Sequence, residues 1–144
     1  MYDNILVPTD GSDGARSAFE HALELGELYD STIHLLYVVE PIHTADVATE
    51  QVLDAMRAEG ERSLEELVEG IDSDDVDAVT EIRVGTPHRE ILEYADEEGM
   101  DLIVMGTHGR TGLNRYLLGS VTEKVVRASE TPVLTVRRDE DVPE

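Results

Sequence analysis

Five short apolar runs alternate with segments of helical period along this chain, and that alternation restricts the fold more than any other feature. The runs lie at residues 2–9, 32–39, 78–84, 101–105 and 131–137. The second contains Ile33, Leu35, Leu36, Tyr37, Val38 and Val39. It is apolar on both faces, as in a parallel strand covered from both sides. Ile5-Leu-Val7 and Leu102-Ile-Val-Met105 are of the same kind. The third run alternates, with Val79, Glu81 and Arg83 set against Ala78, Thr80, Ile82 and Val84. Alternation suits an edge strand with one wet face. Pro132 confines the start of the fifth run to an edge or a bulge.

The intervening segments read as helices. After Ser12 or Asp13 as N-cap, Ala15, Ala18, Phe19, Ala22 and Gly26 keep the spacing of one helical face. Residues 47–71 form a long helical region with a stripe at Leu64, Leu67, Val68 and Ile71 and a weaker first half at Val52, Met56 and Gly60. Thr86 as cap and Pro87 at the first helical position open a third helix carrying Ile91, Leu92 and Ala95. A fourth spans residues 120–128. Strict strand–helix alternation predicts an α/β fold: a single-domain open parallel five-stranded sheet with helices on both faces, Rossmann-like. With the third and fifth strands at the two edges, the expected order is 3-2-1-4-5. The domain is expected to cover residues 1–138, followed by an acidic tail at 139–144.

That order reverses the direction of chain progression between strands 1 and 4, and ligands of such sheets bind beyond the carboxyl ends of the strands at the reversal. The turn Pro8-Thr9-Asp10-Gly11-Ser12 and the loop after Met105 are thus expected to meet. The loop runs Gly106-Thr-His-Gly109-Arg110 through Gly119-Ser120 into the last helix. Glycines let a backbone approach an anion closely. Exposed N–H groups at a helix start favour negative charge. Ser120, with Glu123 three residues on, fits an N-cap with a capping-box partner.

Charge narrows the partners. With 33 acidic residues against 11 Lys plus Arg, the net charge is -22, and Lys124 is the only lysine. Such a surface repels nucleic acid. The ordered apolar runs separate the chain from disordered acidic proteins. A folded protein for a very salty cytoplasm fits, because screening shortens to about 3 Å at 1 M salt. There is no cysteine, hence no disulfide framework. No apolar run approaches the length of a membrane span, and Asp3 and Asn4 interrupt any signal-peptide pattern. The expectation is a cytoplasmic protein with neither membrane nor nucleic acid as partner.

The spacing Gly106-x2-Gly109-x9-Gly119-Ser120 after a Leu-Ile-Val-Met strand resembles the ATP-binding motif of the universal stress protein family. Ile5-Leu-Val-Pro-Thr-Asp10-Gly-Ser12 is similar to that family's first strand and loop, and Thr131-Pro-Val-Leu-Thr-Val136 to its closing strand. The likeness spans the whole chain. It implies the 3-2-1-4-5 sheet, a homodimer, and membership of the branch that keeps the glycine motif and binds ATP.

Each site residue has two readings. Gly106, Gly109 and Gly119 line phosphates or shape a loop. Ser120 donates to a phosphate beside the N–H groups of Ser120 and Val121, or caps the helix, or both. Asp10 holds a ribose hydroxyl or a metal, with Pro8 and Thr9 lining the pocket, or bonds its own turn; the resemblance favours the pocket. Val39 is assigned by the resemblance alone, as an adenine neighbour through its main chain. Arg110 and Arg115 balance phosphate charge or pair with acidic neighbours, and His108 is a loop spacer. The other histidines lack metal-ligand spacing. The cofactor implied is ATP, or ADP or AMP, with Mg2+ or Mn2+ carried mostly by phosphates and water.

The leading expectation is an ATP-binding stress-response or signalling module acting as a homodimer, with further protein partners unknown. A slow ATP hydrolase is the alternative, although no Gly-Lys-Ser/Thr occurs and no catalytic dyad is evident. A ligand-free interaction protein is the third. The homodimer is expected through the last strand, Val133 to Arg137, whose edge would otherwise stand open.

Overall fold

The computed structural model of the chain describes residues 1–41, 50–72, 74–107 and 119–137. Its five strands are β1 (Asn4–Thr9), β2 (Thr32–Val39), β3 (Asp77–Val84), β4 (Leu102–Gly106) and β5 (Val133–Val136). Its helices are α1 (Asp13–Tyr29), α2 (Glu50–Glu69), α3 (Pro87–Glu97) and α4 (Ser120–Ala128). The strands form one sheet in the order β3-β2-β1-β4-β5, and every neighbouring pair is parallel. The expected topology is therefore observed, with β3 and β5 as the two edges.

Strand periodicity divides the core in two. Ile5, Val7, Ile33, Leu35, Tyr37, Val39, Leu102 and Val104 point to one face, where Ala18, Phe19 and Ala22 of α1 and Leu64 and Leu67 of α2 cover them. Leu6, Leu36, Ile103 and Met105 point to the other, under Ile91, Tyr94 and Ala95 of α3 and Val125 of α4. Side chains that alternate across the pleat need both layers of helix. The contiguous apolar runs in β1, β2 and β4 are the sequence trace of that arrangement.

The helix boundaries show where local signals hold and where packing overrides them. Ser12 caps α1, its Oγ accepting the Ala15 N–H at 3.2 Å. At the far end Asp30 turns left-handed, φ 58°, and returns its N–H to Gly26. The helix expected over 47–71 is described from Glu50 and ends at Glu69; residues 47–49 lie outside the described residues. Gly60 belongs to the half with the weaker stripe, yet it is the closest approach of α2 to the sheet. A Cβ there would stand 2.7 Å from the Tyr37 ring. Val68, expected in the core stripe, is instead 39% exposed. Thr86 occupies the N-cap of α3, but its side chain makes no capping bond.

Two boundaries after β4 correct the sequence reading. Gly106 is the last residue of the strand, in register with Val136, rather than the first residue of the loop. The N-cap of α4 is Gly119, not Ser120. Ser120 is the first helical residue and is exposed. The capping box expected of Ser120 and Glu123 is absent; the Glu123 N–H bonds the Gly119 carbonyl at 2.9 Å.

Near the amino ends of the strands a polar network closes on itself. The Asn4 N–H donates to Asp101 Oδ2 at 3.0 Å. His34 Nε2 lies 3.1 Å from Asn4 Oδ1, and His34 Nδ1 lies 2.7 Å from the Tyr94 hydroxyl. A neutral ring with its proton on Nε2 satisfies both contacts. Burial holds the His34 pKa below its ordinary value and pushes the Tyr94 hydroxyl up to about 12.

Candidate functional site

At the opposite end of the sheet, the turn leaving β1 and the segments flanking the β4–α4 loop come together. The turn leaving β1 organises itself. Thr9 Oγ1 accepts the Gly11 N–H at 3.2 Å, and Asp10 Oδ1 accepts the Ser12 N–H at 2.9 Å. Gly11 has φ 81°, a left-handed conformation that a side chain would strain. These bonds aim the chain into α1, whose first turn buries Gly14.

Gly14 is what β4 meets. A Cβ on Gly106 would fall 2.7 Å from the Gly14 carbonyl oxygen and 2.8 Å from its carbon. Two backbones touch there, and any side chain at 106 would force them apart. The turn containing Asp10 and the end of β4 thus share one corner, at the reversal between β1 and β4.

The loop's base is tied on three sides. The Gly119 N–H bonds the Thr107 carbonyl at 2.6 Å, and the Thr107 N–H bonds the Val136 carbonyl at 3.1 Å. Thr122 is buried and its Oγ1 donates to the Gly106 carbonyl at 2.8 Å. The start of α4 is therefore locked against β4 and β5. With glycine as cap it has no side-chain cap bond, and the first helical N–H groups have no intrahelical acceptor. Those groups and the helix dipole form an anion-favouring end. Side-chain cations contribute little on the α1 side, where Arg16 is exposed and lies 3.6 Å from Glu66.

The expected site residues divide accordingly. Thr9 and Asp10, with half-buried Pro8 before them, lie at the end of β1, and Gly106, Gly119, Ser120 and Val121 lie across the corner from them. Asp10 does make the turn-forming bond, with Oδ1 engaged by Ser12. Val39 ends β2 with its side chain in the core and its carbonyl accepting the Gly85 N–H at 2.9 Å. One lone pair of that carbonyl is thereby used and a second is left. Gly109 and Arg110, like His108 and Arg115, lie outside the described residues. Sequence reasoning missed Gly14, Thr107 and Thr122. Gly14 was legible only as one of two glycines three apart in Gly11-Ser-Asp-Gly14, and nothing local marked the two threonines.

The profile of the universal stress protein family matches residues 1–137. A universal stress protein of Methanocaldococcus jannaschii, MJ0531, is 37% identical over 142 residues, covering 96% of this chain and 84% of its own length. The solved structure of MJ0577 from the same organism superposes with a TM-score of 0.87 at 35% identity, covering 96% of this chain and 98% of that one. A universal stress protein solved in complex with cAMP aligns at TM-score 0.67 and 28% identity, over 96% of this chain and 98% of that one. A profile match over nearly the whole length, relatives above 30% identity and a shared sheet order agree: the chain belongs to the universal stress protein family.

Proposed function

We propose that this chain binds an adenine nucleotide, ATP foremost, in the corner between the β1–α1 turn and the start of α4. The supporting observation is the glycine-capped α4 N-terminus, held to β4 by the Gly119–Thr107 bond beside the Gly106–Gly14 contact. The absence of a Cβ at 106 lets the two backbones meet, which brings the β1–α1 turn beside the end of β4. Ser120 and Val121 offer N–H groups to phosphate, and Ser120 adds a hydroxyl. Asp10 takes a ribose hydroxyl through its carboxylate. Pro8 and Thr9 line the floor, and the Val39 main chain borders the base. Gly109 and Arg110 complete the phosphate loop. The cAMP complex of a related protein supports an adenine nucleotide as the class of ligand.

Among the described residues, no cluster of three or more His, Asp or Glu is placed to hold a metal ion. Mg2+ or Mn2+ would therefore be carried by the phosphates and water. Residues 1–138 act as one nucleotide-binding domain, with the acidic tail outside it. The module works in the cytoplasm as a homodimer built on β5, an edge strand of four residues, and its high negative charge suits a salty interior. None of the described helices is long and apolar enough to cross a membrane.

Isothermal titration with Mg-ATP, Mg-ADP and AMP tests the reading. Saturable heat from ATP is expected, and silence at about 1 mM, a binding energy near 4 kcal/mol, would overturn it. Phosphate release by the wild type and by Asp10→Ala distinguishes holding ATP from turning it over. Val133→Pro should abolish the dimer in sedimentation, and a wild-type chain sedimenting as a monomer in high salt would remove the homodimer.

A further inference from the structure

A groove among the described residues lies away from the proposed nucleotide corner. It lies between α2 and the outer edge of β3, has a volume of about 570 Å³, and is lined by Glu61, Leu64, Glu65, Val68, Glu69, Thr80, Glu81 and Ile82. We propose that this groove docks an extended polypeptide segment, laid along the edge of β3, whose side chains facing α2, every second residue, alternate between basic and apolar.

Three observations support that occupant. The first is the edge itself. Among the described residues β3 pairs only with β2, and three consecutive β3 residues line the groove, so its backbone polar groups are presented there. An extended chain satisfies such an edge by strand addition. The second is the floor. Leu64, Val68 and Ile82 form an apolar strip, and Val68 is 39% exposed although it sits beside the α2 core stripe. The third is charge. Glu61, Glu65 and Glu69 are exposed at intervals of four on α2, so they stack on one helix face. Like charges at that spacing repel one another and weaken the helix. No Lys or Arg lines the groove. Glu81, which also lines the groove, is held by Arg83, so the three α2 glutamates are the charges left for a cationic partner. Within this chain, no segment matches: it has 33 acidic residues against 11 basic ones, and its last six residues are mostly acidic. A second copy would bring like charge to like charge.

The test uses the full chain and a fluorescent peptide of Arg-Ser-Val-Ser repeats, which sets Arg and Val on the same face, matched to the 8 residues of β3. Anisotropy should report saturable one-to-one binding. Replacing every Val of the peptide by Ser keeps the charge and should weaken binding by about tenfold, since the apolar strip is then unused. The double variant Glu65→Lys/Glu69→Lys should weaken it by at least about tenfold, while Glu20→Lys/Glu24→Lys on α1, an equal change of net charge, should change it less than about twofold. Equal losses from the two charge reversals would mean that overall charge alone attracts the peptide, and would overturn the proposal. So would no binding at about 1 mM peptide. Self-association abolished by Val68→Asp would assign the groove to a second copy and overturn it as well. Nucleotide titration of the same variants is expected to be unchanged, so failure here is separable from failure at the nucleotide corner.

Discussion

Two helix starts face the same corner of this molecule, and they are built oppositely. At α1 the chain satisfies itself. Ser12 caps the helix, Asp10 holds the Ser12 N–H, and Thr9 holds the Gly11 N–H. At α4 the cap is glycine, which has no side chain to close the helix, and its N–H bonds Thr107, which in turn bonds Val136 of β5. One end is a finished turn that fixes direction. The other is joined to the end of β4 through Thr122 and, by way of Thr107, to β5. The contrast teaches that a helix start capped by glycine, which has no side chain to close it, is ordered when neighbouring strands supply the order. A helix end of that kind favours an anion.

The comparison can be broken most severely at Gly106, where the two starts touch. Gly106→Val places a side chain against the Gly14 backbone and should cost about 3 kcal/mol in urea unfolding. Nucleotide heat should disappear with it. A fully stable Gly106→Val protein that still binds would show that the two backbones are not in contact.

Thr122→Val comes next. It removes the hydroxyl that holds the Gly106 carbonyl and leaves that carbonyl short of a donor, for a loss of about 2 kcal/mol. Thr122→Ser should restore most of it. Nucleotide affinity should fall in the valine variant and recover in the serine one.

Ser12→Ala and Ser120→Ala sharpen the comparison directly. Removing the α1 cap should lower stability by about 1 kcal/mol with little change in affinity. Ser120 lies exposed one residue inside α4, so Ser120→Ala should stay within about 0.5 kcal/mol of wild type. Its effect should appear in titration, as about tenfold weaker ATP binding. The opposite pattern, a stability loss at 120 and none at 12, would reverse the assignment of the two ends.

The least effect on the corner should come from the far end of the sheet. His34 has its pKa lowered by burial, so the unfolded chain binds a proton there more readily than the folded one. Stability is then intact above pH 6.5, the unfolded value, and declines as pH falls below it toward the lower folded pKa. The decline should be absent in His34→Gln. ATP affinity, measured where the protein remains folded, should not follow it.

Much of this architecture was legible from residue order. Contiguous apolar runs at β1, β2 and β4 called for cover on both faces, and alternation in β3 marked an edge. Turn chemistry at Pro8 through Ser12 located the start of α1 to within one residue. These are local or periodic signals, and a sheet with two helical layers has few ways to satisfy them. Ser120 and Glu123 sent an equally good local signal that failed. The Gly119 N–H is bonded to Thr107, so the last extended residue is Gly119 and the helix begins one position earlier than serine's preference for the cap suggests. Val68 failed for a related reason: the stripe was periodic, but α2 approaches the sheet through Gly60 and Tyr37, which turns Val68 outward.

By itself the sequence determined the class of fold and the strand order, because periodicity and turn residues are written in neighbouring positions. Tertiary structure alone decided that Gly106 meets Gly14, that Thr122 holds the strand above it, and that Gly119 rather than Ser120 caps α4. Each of those rests on a contact between residues distant in the chain, where the nearest atoms, not the nearest neighbours in sequence, settle which polar group finds a partner.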